Sequence, residues 1–179
     1  LKTGDVTVVP MESSQHLTAL QAGRAVAAVS YEPLATQLRQ AGFSKLFDSR
    51  QMPGQIMDVL VVRPDMLTLR GGDVDELMRA WAIGLQSMQT DRQSVAARLA
   101  PSLQMTADEY LETLNGLHFM TPADSLAYMA GVQAPLRQRA QTLSAALLEL
   151  GELAQEAPDL TRLIDTGPAG RTLQSGVRP

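Results

Sequence analysis

SSQHLTALQAGRAVAAVSYEPLATQLRQAGFSKLFDS, running from Ser13 to Ser49, is the stretch on which the fold reading turns. It shows a helix pattern followed by a strand pattern, twice. Leu17, Leu20 and Ala22 give a helical face that Gly23 closes. Ala25 to Val29 (AVAAV) is small and apolar throughout, as suits a strand covered on both faces. Pro33 then opens a second helix, with Leu34, Leu38 and Ala41 on one side and Gly42 as its stop. Phe43 to Phe47 reads as a further strand, made less buried by Lys45. Polar residues stand at the strand exits, where an open α/β sheet holds small ligands.

Working outward, Asp5 to Val9 (DVTVV) is β-branched and apolar and is closed by Pro10, a strand signal. Asp48 to Gln55 (DSRQMPGQ) is a polar connection marked by Pro and Gly. Ile56 to Val62 (IMDVLVV) is the strongest strand signal in the chain, and Pro64 ends it. Gly71-Gly72 reads as a loop, and from Asp73 onward helical spacing takes over. Val74, Leu77, Met78, Trp81 and Leu85 fall on one helix face. A helix starts at Asp91 and stops near Pro101, and Thr106 with Glu109 forms a capping-box pattern. Thr121-Pro122 with Asp124 marks another start. A long helix is expected from Pro135 to Leu150, interrupted by Gly151, and a last short one over Pro158 to Ile164.

The predicted fold class is therefore α/β: a βαβαβ part over 1–53, a crossover strand and helical part over 54–165, and a flexible tail over 166–179. No repeat at a fixed period is visible. The chain begins with Leu1, and its first residues already read as strand, so a truncated start is expected.

Composition narrows the function classes. The chain has 179 residues, 45% hydrophobic and 19% charged, which marks a folded globular protein. Its net charge is −4 and it has no Lys/Arg-rich run, so a nucleic-acid partner has no electrostatic footprint. Cysteine is absent, which removes disulfides, zinc-thiolate sites and thiol nucleophiles. No apolar run reaches the ~18 residues of a membrane span. His16 and His118 lack acidic or histidine neighbours at ligand spacing, so no metal site is expected. No nucleophile-elbow, P-loop, dinucleotide-binding or HExxH motif occurs, and no cofactor is expected.

Three loops are candidate ligand contacts. Glu12, Ser13, Ser14 and Gln15 lie between a strand and a helix; the serines can hold an anionic or carbonyl group, or simply cap the helix. Tyr31 and Glu32 follow the next strand. Tyr31 offers an aromatic face and Glu32 a carboxylate for an amine or ring N–H, or Glu32 complements the following helix dipole. Met52, Gly54 and Gln55, with Ser49 and Arg50, form a constrained crossing segment or a plain surface loop. His16 stands on the opening turn of the first helix, where it can touch a ligand or serve as a surface or capping residue. The carboxylate pairs Asp73/Asp75/Glu76 and Asp108/Glu109 sit at helix starts, where dipole complementation explains them.

Ala19-Leu20-Gln21-Ala22-Gly23, then Ala27-Ala28, then Glu32-Pro33, resembles the substrate-binding proteins of ABC importers for nitrate, sulfonates, taurine and thiamine-pyrimidine precursors. Asp48-Ser49, Pro53-Gly54, Asp58 to Arg63, Ala80-Trp81, Ala96-Ala97 and Pro158 to Leu160 extend the resemblance over nearly the whole chain. The family's Asp before the Ala falls at Val26 here.

The resemblance implies an incomplete type II periplasmic-binding-protein fold: a partial second lobe followed by a helix-rich return to the first lobe. It implies no catalysis. It implies a small-molecule ligand in an interlobe cleft, delivery to an ABC permease, and a periplasmic or lipid-anchored location outside the cytoplasmic membrane. The implied cleft wall is Glu12, Ser13, Ser14, Gln15, Tyr31, Glu32 and Met52 to Gln55. Glu32 there would favour an amine or heteroaromatic ligand over a bare anion. Half a cleft is expected to bind weakly on its own, and a truncated lobe to self-associate. Two other classes share the pattern: a sensing domain of a signalling protein, and the thiamine-pyrimidine synthase branch, whose Cys-rich segment is missing here.

Overall fold

A computed structural model describes residues 4–155 and 163–176. Among these residues the regular structure is helical throughout, and there is no strand and no sheet. The helices are α1 (His16–Gln21), α2 (Leu34–Gln40), α3 (Pro64–Thr90), α4 (Arg92–Leu99), α5 (Ala107–Leu114), α6 (Pro122–Met129), α7 (Pro135–Glu149) and α8 (Gly167–Gln174).

The expected α/β fold, an incomplete type II periplasmic-binding-protein lobe, is thus overturned. Its strand readings rested on β-branched apolar composition, which reports a segment's taste for a pleated surface and not the presence of a neighbour to pair with. The segments do run straight: residues 7–12, 27–31, 43–48 and 57–63 contain no turn or bend. The ladders are what is missing. Val6 to Val9, Ala25 to Ser30 and Ile56 to Val62 exchange no backbone hydrogen bond with any described residue. Their apolar side chains face outward, with Val8 81%, Val29 96% and Val61 82% exposed.

The chain divides into two compact units, residues 1–47 with 93–118, and residues 48–92 with 119–179. In the first, α1 packs on α2 and α2 on α5. Its buried apolar residues are Ala19, Leu38, Ala96, Ala100, Tyr110 and Leu114. Gly23 ends α1 as its sequence suggests. At φ +68° it lets its own N–H reach the Leu20 carbonyl and the Arg24 N–H reach that of Ala19, at 3.1 and 2.9 Å.

In the second unit α8 packs against α3 and α6, and α6 against α7. Ala82, Leu85, Ala134 and Ala169 are its buried apolar residues. Gly71-Gly72, read as a loop, lies inside α3. The loop signal survives only as a kink at Arg70 (φ −133°, ψ 28°), beside the glycine pair. Of the face predicted for α3, Leu85 is buried, whereas Leu77 and Trp81 stay about half exposed. The indole N–H of Trp81 donates to the Met120 carbonyl at 3.3 Å, and its ring lies 6.0 Å from that of Phe119.

The expected capping box at Thr106/Glu109 is formed, and the helix start read at Thr121-Pro122 carries a second one, between Thr121 and Asp124. The residues read as a flexible tail contain α8, which buries Pro168, Ala169 and Thr172. Most of the short helix expected over 158–164 lies outside the described residues.

Candidate binding surface

The loop before α1 does not work as a simple serine cap. Glu12 is the extended residue that precedes a 3-10 turn over Ser13–Gln15, and no side chain caps that turn. The turn feeds directly into α1, so the serine hydroxyls are left for other partners. Ser13 takes one: the Tyr31 hydroxyl donates to its Oγ at 3.1 Å. One turn further on, His16 Nδ1 lies 3.4 Å from Ser30 Oγ, at the outer limit of a hydrogen bond. The two polar loops that the sequence placed before successive helices thus meet in one unit.

The resulting surface is shallow and wet. Tyr31 is 66% exposed, and Glu12, Ser14 and Gln15 are exposed beside it in sequence. Ser30, Ser13 and His16 are partly covered. Hydroxyls and an imidazole that donate and accept in several directions can hydrogen-bond a small polar solute.

Glu32 is not part of this surface. Its side chain is 8% exposed and its carboxylate faces its own helix. The N–H and hydroxyl of Thr36 donate to Oε2 at 3.0 and 2.7 Å, and Arg39 donates to Oε1 at 3.3 Å. Arg39 continues to Thr36 Oγ1 at 2.8 Å and to Glu112 on α5 at 3.2 Å. Gly116 completes the enclosure, since a Cβ there would stand 2.7 Å from Glu32 Cγ. The buried hydroxyl of Thr36 and the carboxylate satisfy each other, so this carboxylate stitches α2 to α5. The sequence placed Glu32 at a helix start, and that position could have suggested a side chain folded back onto the helix.

Met52, Gly54 and Gln55 belong to the second unit. Gly54 takes φ +72°, as a constrained turn requires, and the Tyr128 hydroxyl donates to its carbonyl at 2.9 Å. A Cβ on Gly54 would lie 2.9 Å from that hydroxyl, so the turn and Tyr128 of α6 are fitted to each other. Met52 is half-buried and Gln55 exposed. Arg50 is engaged by Asp48, which holds the guanidinium above its usual pKa through a side-chain hydrogen bond.

Sequence reasoning missed two polar features. Ser30 stands in the same loop as Tyr31 and Glu32 but had no role in the reading, because serine at a strand exit carries no distinctive signal. Asp75, read as a dipole partner at a helix start, sits inside α3 and receives two bonds from Arg171 of α8, at 2.8 and 2.9 Å. No protein-family model matches the chain, and neither curated proteins nor solved structures gave a match to it.

Proposed function

We propose that this chain is a solute-binding protein with no catalytic role, which holds a small polar molecule outside the cytoplasmic membrane and passes it to an ABC permease. The observation that carries the reading is the junction of Ser13 with Tyr31 and of His16 with Ser30. Two loops from separate segments of the chain offer their hydrogen-bonding groups at one surface. The resemblance of Ala19 to Gly23 and Glu32-Pro33 to the importer proteins suggests the same class by local sequence alone, since the α/β lobe it implies is not formed. The ligand is a solute bound by neutral hydroxyls and an imidazole, because Glu32 is spent on Thr36 and Arg39. The preference for a cationic ligand that an open carboxylate would confer therefore lapses.

A surface this open leaves most of a ligand in water, so binding is weak. The test is a two-dimensional amide NMR titration of the chain with nitrate, taurine and an aminopyrimidine in turn. At least one solute is expected to shift Ser13, Ser14, His16, Ser30 and Tyr31 together, and Tyr31→Phe with Ser13→Ala to remove the response. A panel that shifts none of these residues, or a response that survives the double substitution, overturns the reading.

A further inference from the structure

Met57 to Val62, preceded by Ile56 at a bend, is the most apolar straight segment of the second unit, and no described residue pairs with its backbone. Residues 57–63 run without turn or bend, and the backbone groups of 56–62 meet no described partner. Ile56, Val59, Leu60 and Val61 are 69, 56, 55 and 82% exposed. The segment runs into an open groove of about 530 Å³, lined by Val61, Val62, Met66, Val74 and Leu77 together with charged residues at its rim.

We propose that this segment and its groove form a symmetric interface between two copies of the chain. A second copy is favoured as the occupant on three grounds. First, size: the exposed apolar side chains of the segment and groove offer on the order of 700 Å², close to the ~800 Å² per partner of a stable protein interface. Second, charge: Arg63 pairs with Asp65 and Arg70 with Asp73, so the groove rim is internally neutral and Asp58 is the one charge the patch adds. A two-fold axis sets each patch against itself, so the placing of the two Asp58 side chains decides whether the copies repel. Third, register: antiparallel pairing about Val59 sets Ile56 opposite Val62, Met57 opposite Val61 and Asp58 opposite Leu60. No two Asp58 side chains then stand directly opposite, where like charges would destabilise the pair. The pairing also gives partners to backbone groups that an edge otherwise leaves to water.

On that axis Val59 faces its own copy, which supplies the test. Light scattering behind size-exclusion chromatography is expected to give a dimer for the full chain at micromolar concentrations. Val59→Lys sets two ammonium groups opposite each other and is expected to give a monomer with an unchanged helical circular-dichroism spectrum. Mixing Val59→Lys with Val59→Asp is expected to restore a dimer containing one of each. A monomeric wild-type chain overturns the proposal. So does assembly that grows without limit on concentration, or a Val59→Lys dimer. If Val59→Lys loses its helical spectrum, the mixing experiment decides alone, and failure to recover a mixed dimer from folded Val59→Asp overturns the proposal.

Discussion

Glu32 ties together the start of the first unit's second helix, because it answers three donors from Thr36 and Arg39 at once. Thr36 is fully buried, so removing the carboxylate takes the acceptor from its N–H and its hydroxyl hydrogen, while its oxygen keeps Arg39. Glu32→Ala is expected to destabilise the chain by roughly 2–3 kcal/mol, the range for hydrogen bonds to a charged group with a buried partner left over. Gly116→Ala tests the same spot from the other side. Its methyl must displace Glu32, at an overpacking cost of about 1–3 kcal/mol. Urea denaturation of both variants checks the pair. If Glu32 were instead a ligand contact, Glu32→Ala would leave the midpoint unchanged and abolish the solute-induced NMR shifts. At this scale the sequence was half legible. It marked Ser13, Tyr31 and Glu32 as the polar residues to watch, but local spacing does not say whether a carboxylate turns outward or back onto its own helix. Thr36, four residues on and within reach of it, decided that.

The helices were the legible elements, since their signals are local. Capping boxes, glycine stops and the proline starts of α6 and α7 all lie within a few residues of the ends they mark. Thr121→Ala is expected to cost about 1 kcal/mol, the usual loss for an N-cap, with the loss of helicity confined to α6. Acid separates two further contacts. The backbone N–H of Thr106, and next its hydroxyl, hold Glu109 below the ordinary carboxylate range. The Arg171 hydrogen bond does the same for Asp75. Both pKa values are lowered in the folded chain, so both contributions are complete above the ordinary range near pH 4 and fade as pH falls through the folded values. Acid is therefore expected to loosen the start of α5 and the α3–α8 contact. Glu109→Gln keeps an acceptor at the Thr106 N–H but removes the titration, so its acid limb of stability is flatter than that of the unsubstituted chain. A pair of pH titrations followed by circular dichroism at constant salt reads the difference; identical limbs would remove Glu109 from the account. What was not legible here was α8, whose Gly, Pro and Arg content resembles a tail. Its burial of Pro168, Ala169 and Thr172 against neighbouring helices is a tertiary fact that no local pattern carries.

Across the whole molecule, the straight apolar runs and the thin cores are one fact seen twice. A strand is only a segment until something pairs with it, and the sequence specifies the segment far more clearly than the partner. Hence Val6 to Val9, Ala25 to Ser30 and Ile56 to Val62 were recognisable as β-prone, while the absent ladder was not. The apolar mass left in these runs is missing from the interior, where alanine dominates the buried apolar residues. With Val8, Val29 and Leu46 already exposed in the folded chain, unfolding uncovers less new apolar surface there, and the dependence of stability on urea scales with the surface newly uncovered. For the Val59→Lys chain, which removes the contribution of pairing, we expect a shallow urea transition with a slope at or below the lower end of the ~1–3 kcal/mol/M typical of small domains. The same chain is expected to bind a hydrophobic dye while its helical spectrum is intact, because Val8, Val29 and Leu46 stand open in the folded state. A steep single transition without dye binding would mean that these runs are covered in solution by the chain itself, and the surface argument would fall with it. Dye binding with a shallow slope would show instead that the folded chain keeps its most β-prone segments open to other strands.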